Sequence, residues 1–136
     1  MADLSITAAN VLFTSGTKVT GVAGAAITAG QSLYLDSATS TLKLAQSDGT
    51  AAEVDLVGVA LHAAGSGQPV TYAGTGSTIN IGATTSKATT YVVSATAGGI
   101  APQADLVSTN RICRVGYATA TDGTFVVDIR NVGAVI

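Results

Sequence analysis

The residue types able to carry chemistry are few in this chain, and they stand far apart. The single cysteine lies in Arg111-Ile112-Cys113-Arg114-Val115, an alternation that reads as a strand and is expected to put the thiol on one face with both arginines. Cationic neighbours lower a thiol's pKa and raise its reactivity. Nucleophilic catalysis also needs a base oriented by a third group, and the only histidine, His62, stands far upstream with no such partner in view. No G-x-S-x-G elbow accompanies either residue. The carboxylates Asp36, Asp48, Glu53, Asp55, Asp105, Asp122 and Asp128 sit mostly beside Gly, Ser or Ala, and Asp48-Gly49-Thr50 and Asp122-Gly123-Thr124 read as tight turns. One histidine and one cysteine do not make a metal cluster. Gly65-Ser66-Gly67 and Gly74-Thr75-Gly76 lack the helix that a phosphate-binding loop feeds. The expectation is a protein that is not an enzyme, with no catalytic, cofactor-binding or metal-binding residue.

Whatever the chain does must therefore rest on its surfaces, and composition narrows those. Ala, Gly, Ser and Thr make up 71 of the 136 residues and Leu, Ile, Val and Phe 34, which supports a thin core. Charged residues are 10% of the chain against a usual share of about 25%. The basic residues Lys18, Lys43, Lys87, Arg111, Arg114 and Arg130 are scattered and the net charge is −2, so the basic stripe that nucleic-acid binding requires is missing. Apolar runs are too short for a membrane span, and the start Met1-Ala2-Asp3-Leu4-Ser5 has no signal-peptide pattern. No nucleic acid, membrane or export by that route is expected.

The hydrophobic pattern has period two nearly everywhere, as in Leu33-Tyr34-Leu35, Val54 to Leu61, Val70-Thr71-Tyr72, Thr78 to Ile81 and Thr124 to Ile129. Short alternating runs split by Gly, Ser, Thr and Asp predict an all-β sandwich or small barrel. The only local helix signal is Ser47 to Glu53, worth one turn. The four tyrosines Tyr34, Tyr72, Tyr91 and Tyr117 fall within predicted strands, where an amphipathic ring suits a half-buried position in the core or an interface; a carbohydrate surface is the alternative use.

An internal repeat organises these strands. Leu33-Tyr34-Leu35-Asp36-Ser37-Ala38-Thr39 aligns with Thr90-Tyr91-Val92-Val93-Ser94-Ala95-Thr96 at an offset of 57, and Leu56-Val57-Gly58-Val59-Ala60 meets Arg114-Val115-Gly116-Tyr117-Ala118 at 58. Two four-strand units, about 30–73 and 88–130, are expected to share one core as pseudo-symmetric halves of a single β domain spanning 26–136. Residues 1–25 lie outside the repeat. They read either as an N-terminal arm or as an ordinary first strand or two of the same domain. In the arm reading Leu4, Ile6, Val11, Leu12 and Phe13 make the capsid or subunit contact, and a chain beginning at Gly24 still folds.

The residues Ala29-Gly30-Gln31-Ser32-Leu33-Tyr34-Leu35-Asp36, Val57-Gly58-Val59-Ala60-Leu61, Gly67-Gln68-Pro69-Val70 and Gly98-Gly99-Ile100-Ala101-Pro102 occur in that order. In this the chain resembles the small capsid decoration, or cement, proteins of tailed double-stranded DNA bacteriophages. The resemblance covers about residues 25–130, and the leading segment 2–22 also looks like that group's N-terminal arm. It implies a structural virion protein, made in the host cytoplasm, that binds the major capsid protein on the outer surface of the head and stabilises the shell as a homotrimer. It implies no cofactor and carries over no catalytic residue. The rival class is a head or tail fibre base, or another host-glycan-binding phage module.

Overall fold

The computed structural model describes residues 4–47, 52–103 and 111–135. Among these residues eleven strands follow in chain order: β1 (Val11–Ser15), β2 (Lys18–Val22), β3 (Ser32–Asp36), β4 (Thr41–Leu44), β5 (Leu56–Ala60), β6 (Pro69–Ala73), β7 (Thr78–Ile81), β8 (Thr90–Val93), β9 (Ile100–Pro102), β10 (Arg111–Ala118) and β11 (Thr124–Val135). Among the described residues helix amounts to single 3-10 turns at Ala8–Asn10 and Ala52–Val54 and to 3-10 backbone at Gln103. The turn expected at Asp48-Gly49-Thr50 and the carboxylate Asp105 lie outside the described residues.

Alternation decides which side of each strand is buried. In β7, Ile79 and Ile81 are fully buried while Thr78 and Asn80 are half-exposed. Phe125 and Val127 of β11 point inward in the same way, with Val126 and Asp128 alternating with them on the other face. The strands form two antiparallel sheets, one of six strands in the order β1-β7-β11-β10-β8-β9 and one of five in the order β2-β6-β5-β3-β4. One core joins them: Leu56, Val59 and Ala73 from the five-stranded sheet pack with Ile79, Tyr91, Val115 and Phe125 from the six-stranded one. The Tyr91 and Phe125 rings lie 5.8 Å apart at 51°, a tilted aromatic pair at its centre. The architecture is a sandwich of open sheets, which settles the choice left between sandwich and barrel.

The five-stranded sheet curls without closing. Past β2 the chain reaches the opposite edge at one point, where Ala23 forms a parallel bridge to Leu42 and Gly24 N donates to Leu42 O at 2.8 Å. The segment from Ala23 to Gly30 then covers the sheet's outer face, and Ala23 and Ile27 pack there on Leu33, Leu42, Ala60 and Val70 as a second small core.

Both sheets contain the same strand order. Taking the four strands of each expected repeat in sequence, the five-stranded sheet reads fourth, third, first, second (β6-β5-β3-β4), and the six-stranded sheet reads identically (β11-β10-β8-β9). The Val-Gly-x-Ala strand has the same contacts in each. Gly58 lies against the Tyr72 ring and the Ala73 carbonyl, and Gly116 against the Phe125 ring and the Val126 carbonyl. Each Ser-Ala-Thr turn ends through a left-handed residue, Ser40 at φ 56° and Gly98 at φ 76°.

The expectation of a separate arm over residues 1–25 is corrected for the described part of that segment. β1 pairs with β7 at one edge of the six-stranded sheet, and β2 pairs with β6 at one edge of the other. Ahead of them, Leu4 N donates to Ile100 O of β9 at 2.7 Å and Thr7 N to Gly82 O, just past β7, at 2.8 Å. The physical reason lies in the curl. In the five-stranded sheet the exit of β2 reaches β4 directly, whereas in the six-stranded sheet the Leu4–Thr7 stretch bonds β9 at one end and the residue after β7 at the other.

Two exposed hairpin ends are fastened by carboxylates. Asp36 accepts from Lys43 Nζ at 2.7 Å and from Ala38 N at 3.0 Å, and Asp122 Oδ1 accepts from Thr124 Oγ1 at 2.7 Å and Thr124 N at 3.1 Å. The hydrogen bond from Lys43 holds the Asp36 carboxyl below its ordinary value of 3.8, and that from the Thr124 hydroxyl does the same for Asp122. Each carboxyl therefore stays ionised to lower pH in the folded chain than in the unfolded one. Its contribution is complete above the unfolded value and disappears as pH falls through the folded one. Urea midpoints are expected to hold from neutral pH to about pH 4 and then to fall. The fall should be shallower in Asp36→Asn and Asp122→Asn, and an unchanged acid limb in both would remove these carboxyls as its source.

Candidate functional site

The structure divides the five N-terminal residues expected to make a contact surface, Leu4, Ile6, Val11, Leu12 and Phe13. Val11 is buried on β1, and Leu4, Ile6 and Phe13 are half-buried against the common core. Their cover comes from the chain itself, not from a neighbour, since β1 and the Leu4–Thr7 stretch are built into the six-stranded sheet. Phe13 has one face taken as well, with the Lys18 ammonium 4.8 Å from its ring centre. Leu12 is different. It faces away from the core and is 63% exposed, the largest value among the exposed large apolar residues described.

Leu12 stands at the margin of an open groove of about 550 Å³ lined by Ser5, Thr7, Asn10, Asn80, Gly82, Thr84 and Asp122, among others. Three elements meet there: the stretch leading into β1, the end of β7, and the β10–β11 turn. Asn80 ties two of them together, donating from Nδ2 to Asp122 O at 3.2 Å and accepting from Gly82 N on Oδ1 at 2.9 Å. The lining holds hydroxyls, amides and one carboxylate, with no histidine, cysteine or lysine among the residues named. Such a groove suits contact with polar and small apolar groups and has no proton-transfer pair.

The residues singled out for chemistry are not brought together. Cys113 is fully buried in the inter-sheet core, and burial pushes its thiol pKa up. The expectation that it shares a face with both arginines is corrected by strand parity. Cys113 and Val115 point inward, while Arg114 between them points outward and bonds the Asp128 carboxylate. His62 is exposed with both ring nitrogens engaged by backbone: Nε2 accepts from Thr71 N at 3.0 Å and Nδ1 lies 2.9 Å from Ala63 O. It pins the connection between β5 and β6. No group of three or more His, Cys, Asp or Glu gathers among the described residues where a metal ion could be held. No described helix is long and apolar enough to cross a membrane.

The tyrosines do not form one surface. Tyr91 is buried and its hydroxyl accepts from Ser86 N at 3.0 Å, Tyr34 packs at the main core and Tyr72 at the smaller one. Only Tyr117 belongs to the outward face of the six-stranded sheet, beside its ladder neighbours Thr90 and Val126. Sequence reasoning missed that face. Its membership was readable, because Phe125 and Val127 inward put Thr124, Val126 and Asp128 outward. How far that face is covered is a tertiary matter: Val92, paired with Arg114, is fully buried there, and Tyr117 and Val126 are half-buried. With this geometry in hand, comparison with family models and with curated proteins was made over the whole chain, and none of either matches it.

Proposed function

We propose that this protein is a capsid decoration protein, a non-enzymatic cement that binds the major capsid protein on the outer surface of a phage head and stabilises the shell, acting as an oligomer. The observation that carries the reading is Leu12. The chain is poor in charge, and Leu12, 63% exposed among the residues lining an open polar groove, is the apolar side chain there best placed to touch a partner. The two sheets are, in the same proposal, the two copies of a duplicated unit. Their common strand order and the matched roles of Gly58 and Gly116 support it. Low charge and small side chains favour close backbone approach to a large protein surface, and binding that requires the fold stabilises a chain with a thin core.

Co-sedimentation with undecorated shells of the encoding phage tests this. The intact chain is expected to pellet with the shells. Leu12→Asp, which alters an exposed side chain and leaves the fold intact, is expected to bind about tenfold more weakly or worse, the loss that follows when an apolar contact worth about 1.4 kcal/mol is replaced by a desolvated charge. Failure of the intact chain to pellet overturns the decoration reading. Equal recovery of Leu12→Asp moves the contact away from the groove.

A further inference from the structure

Arg114 and Arg130 stand directly opposite each other in the β10–β11 ladder. Residues paired in this way carry their side chains on one face with Cβ atoms about 5 Å apart, where like charges repel. Here that face is the outward one, because Cys113, Val115 and Ile129 beside them turn to the core. One carboxylate on the same face, Asp128, serves the two guanidinium groups unevenly. Arg114 bonds it through Nη2 and also donates from Nε to the Asp128 carbonyl oxygen at 3.1 Å. Arg130 Nε lies 3.9 Å from the other carboxylate oxygen, too far for a hydrogen bond, and its side chain is 71% exposed. Asn131, opposite the inward-facing Cys113, reaches the other way, to Asp55 just ahead of β5, so that carboxylate belongs to the other side of the sheet. The outward face thus sets two positive charges against one negative at this end, in a chain whose net charge is −2.

Leu12 lies on the same face. Ladder neighbours lead from one residue to the other: Leu12 pairs with Asn80, Asn80 pairs with Thr124, and β11 then runs through Val126 and Asp128 to Arg130. Six residues along β11 and two strands across separate Leu12 from Arg130 by about 20 Å. A contact of ordinary size, about 800 Å² on each partner, is roughly 30 Å across, so one docked surface reaches both. Between them lie the half-exposed Tyr117 and Val126. Tyrosine and arginine are among the residue types that carry most of the energy at protein contacts.

We propose that Arg130, with the Arg114–Asp128 pair beside it, receives an aspartate or glutamate side chain of the shell protein on which this face docks. The inference rests on the decoration reading and adds the charge of the partner: the patch that meets β10 and β11 is acidic. A guanidinium fork fits a carboxylate through two parallel N–H···O bonds. The partner's carboxylate brings the site to two charges of each sign, so none is left unpaired when docking excludes water. A nucleic-acid backbone fits less well, because it needs a track of cations and Asp128 stands between these two.

Co-sedimentation with undecorated shells at about 50 and about 500 mM salt tests this, since the screening length falls from about 13 Å to about 4 Å between them. The intact chain is expected to bind more weakly as salt rises. Arg130→Gln is expected to bind about tenfold more weakly than the intact chain at the lower salt and to approach it at the higher. Arg130→Lys, which keeps the charge and loses the fork, is expected to fall between them, and Arg130→Glu below both. All three should melt with the intact chain, the side chain being exposed; should Arg130→Glu melt early, the Gln and Lys variants carry the comparison. Arg130→Gln binding equal to that of the intact chain at the lower salt, or a deficit that does not shrink with salt, overturns the proposal and leaves the decoration reading standing. An intact chain that pellets at neither salt overturns both. Binding of the intact chain to duplex DNA at the lower salt, lost in Arg130→Gln, assigns the arginines to phosphate and overturns the proposal as well.

Discussion

Replacing Gly116 by alanine is expected to destabilise the fold by about 3 kcal/mol, at the upper end of what overpacking a core costs. A methyl group there meets the Val126 carbonyl oxygen and lies 2.8 Å from Cε1 of Phe125. Neither neighbour has room to yield. The carbonyl belongs to the β10–β11 ladder, and the Phe125 ring is fully buried against Tyr91. Gly58→Ala meets the corresponding obstacles, the Ala73 carbonyl and the Tyr72 ring. Its cost should be smaller, because Tyr72 is only half-buried and its ring has somewhere to move. Gly76→Ala is the informative contrast: nothing lies within 4 Å of its methyl group, and only the backbone at φ 89° opposes the change. That cost is about 1–2 kcal/mol. Urea midpoints at unchanged slope check the order Gly116 above Gly58. A Gly116→Ala protein as stable as the parent would mean that the close approach of β11 to β10 is not needed.

A chain beginning at Gly24 is expected to lose cooperative folding, the reverse of what the arm reading anticipates. It lacks β1, β2 and the Leu4–Thr7 stretch that spans the six-stranded sheet's gap. It also lacks the buried Val11 and Ala23 and the half-buried Leu4, Ile6 and Phe13. At about 1.5–3 kcal/mol for a fully buried large apolar side chain and about half that for a half-buried one, the loss is roughly 5 kcal/mol. Whole domains of this size are stable by about 5–15 kcal/mol. The truncation also bares β6 and β7 as new sheet edges, an invitation to aggregate. Thermal melting followed by circular dichroism should show no sigmoidal transition and little soluble protein. A sharp transition near that of the intact chain would show that the first two strands are dispensable. Truncation is for the same reason a poor probe of shell binding, and the Leu12 substitution is the one to use.

Much of the fold was legible because its signals are local. The alternation in Thr78-Ile79-Asn80-Ile81 tells which side chains turn inward without reference to any other strand. The Asp122-Gly123-Thr124 turn is where its chemistry places it. The repeat spacing located eight strands, two sets of four. The fate of residues 4–22 was not legible. Leu4, Ile6, Val11 and Phe13 announced a need for cover, and hydrophobicity does not say whether cover comes from the same chain or another. Strand parity also separates Cys113 from Arg114, because adjacent residues of a strand face opposite sides of the sheet.

By itself the sequence determined an all-β chain with little bulky apolar surface and little charge, because composition and period-two patterning act over a few residues. Tertiary structure alone decided that the strands form two open sheets with the same internal order, and that the N-terminal strands complete them. It also decided that Leu12 is exposed while Val11 and Phe13 are wholly or partly covered, and that the segment from Ala23 to Gly30 covers the outer face of the five-stranded sheet. Those outcomes depend on pairing and packing between residues up to about a hundred positions apart, such as Leu4 with Ile100. No local preference encodes which of several similar strands closes a given edge; the free energy of burying the common core selects among them.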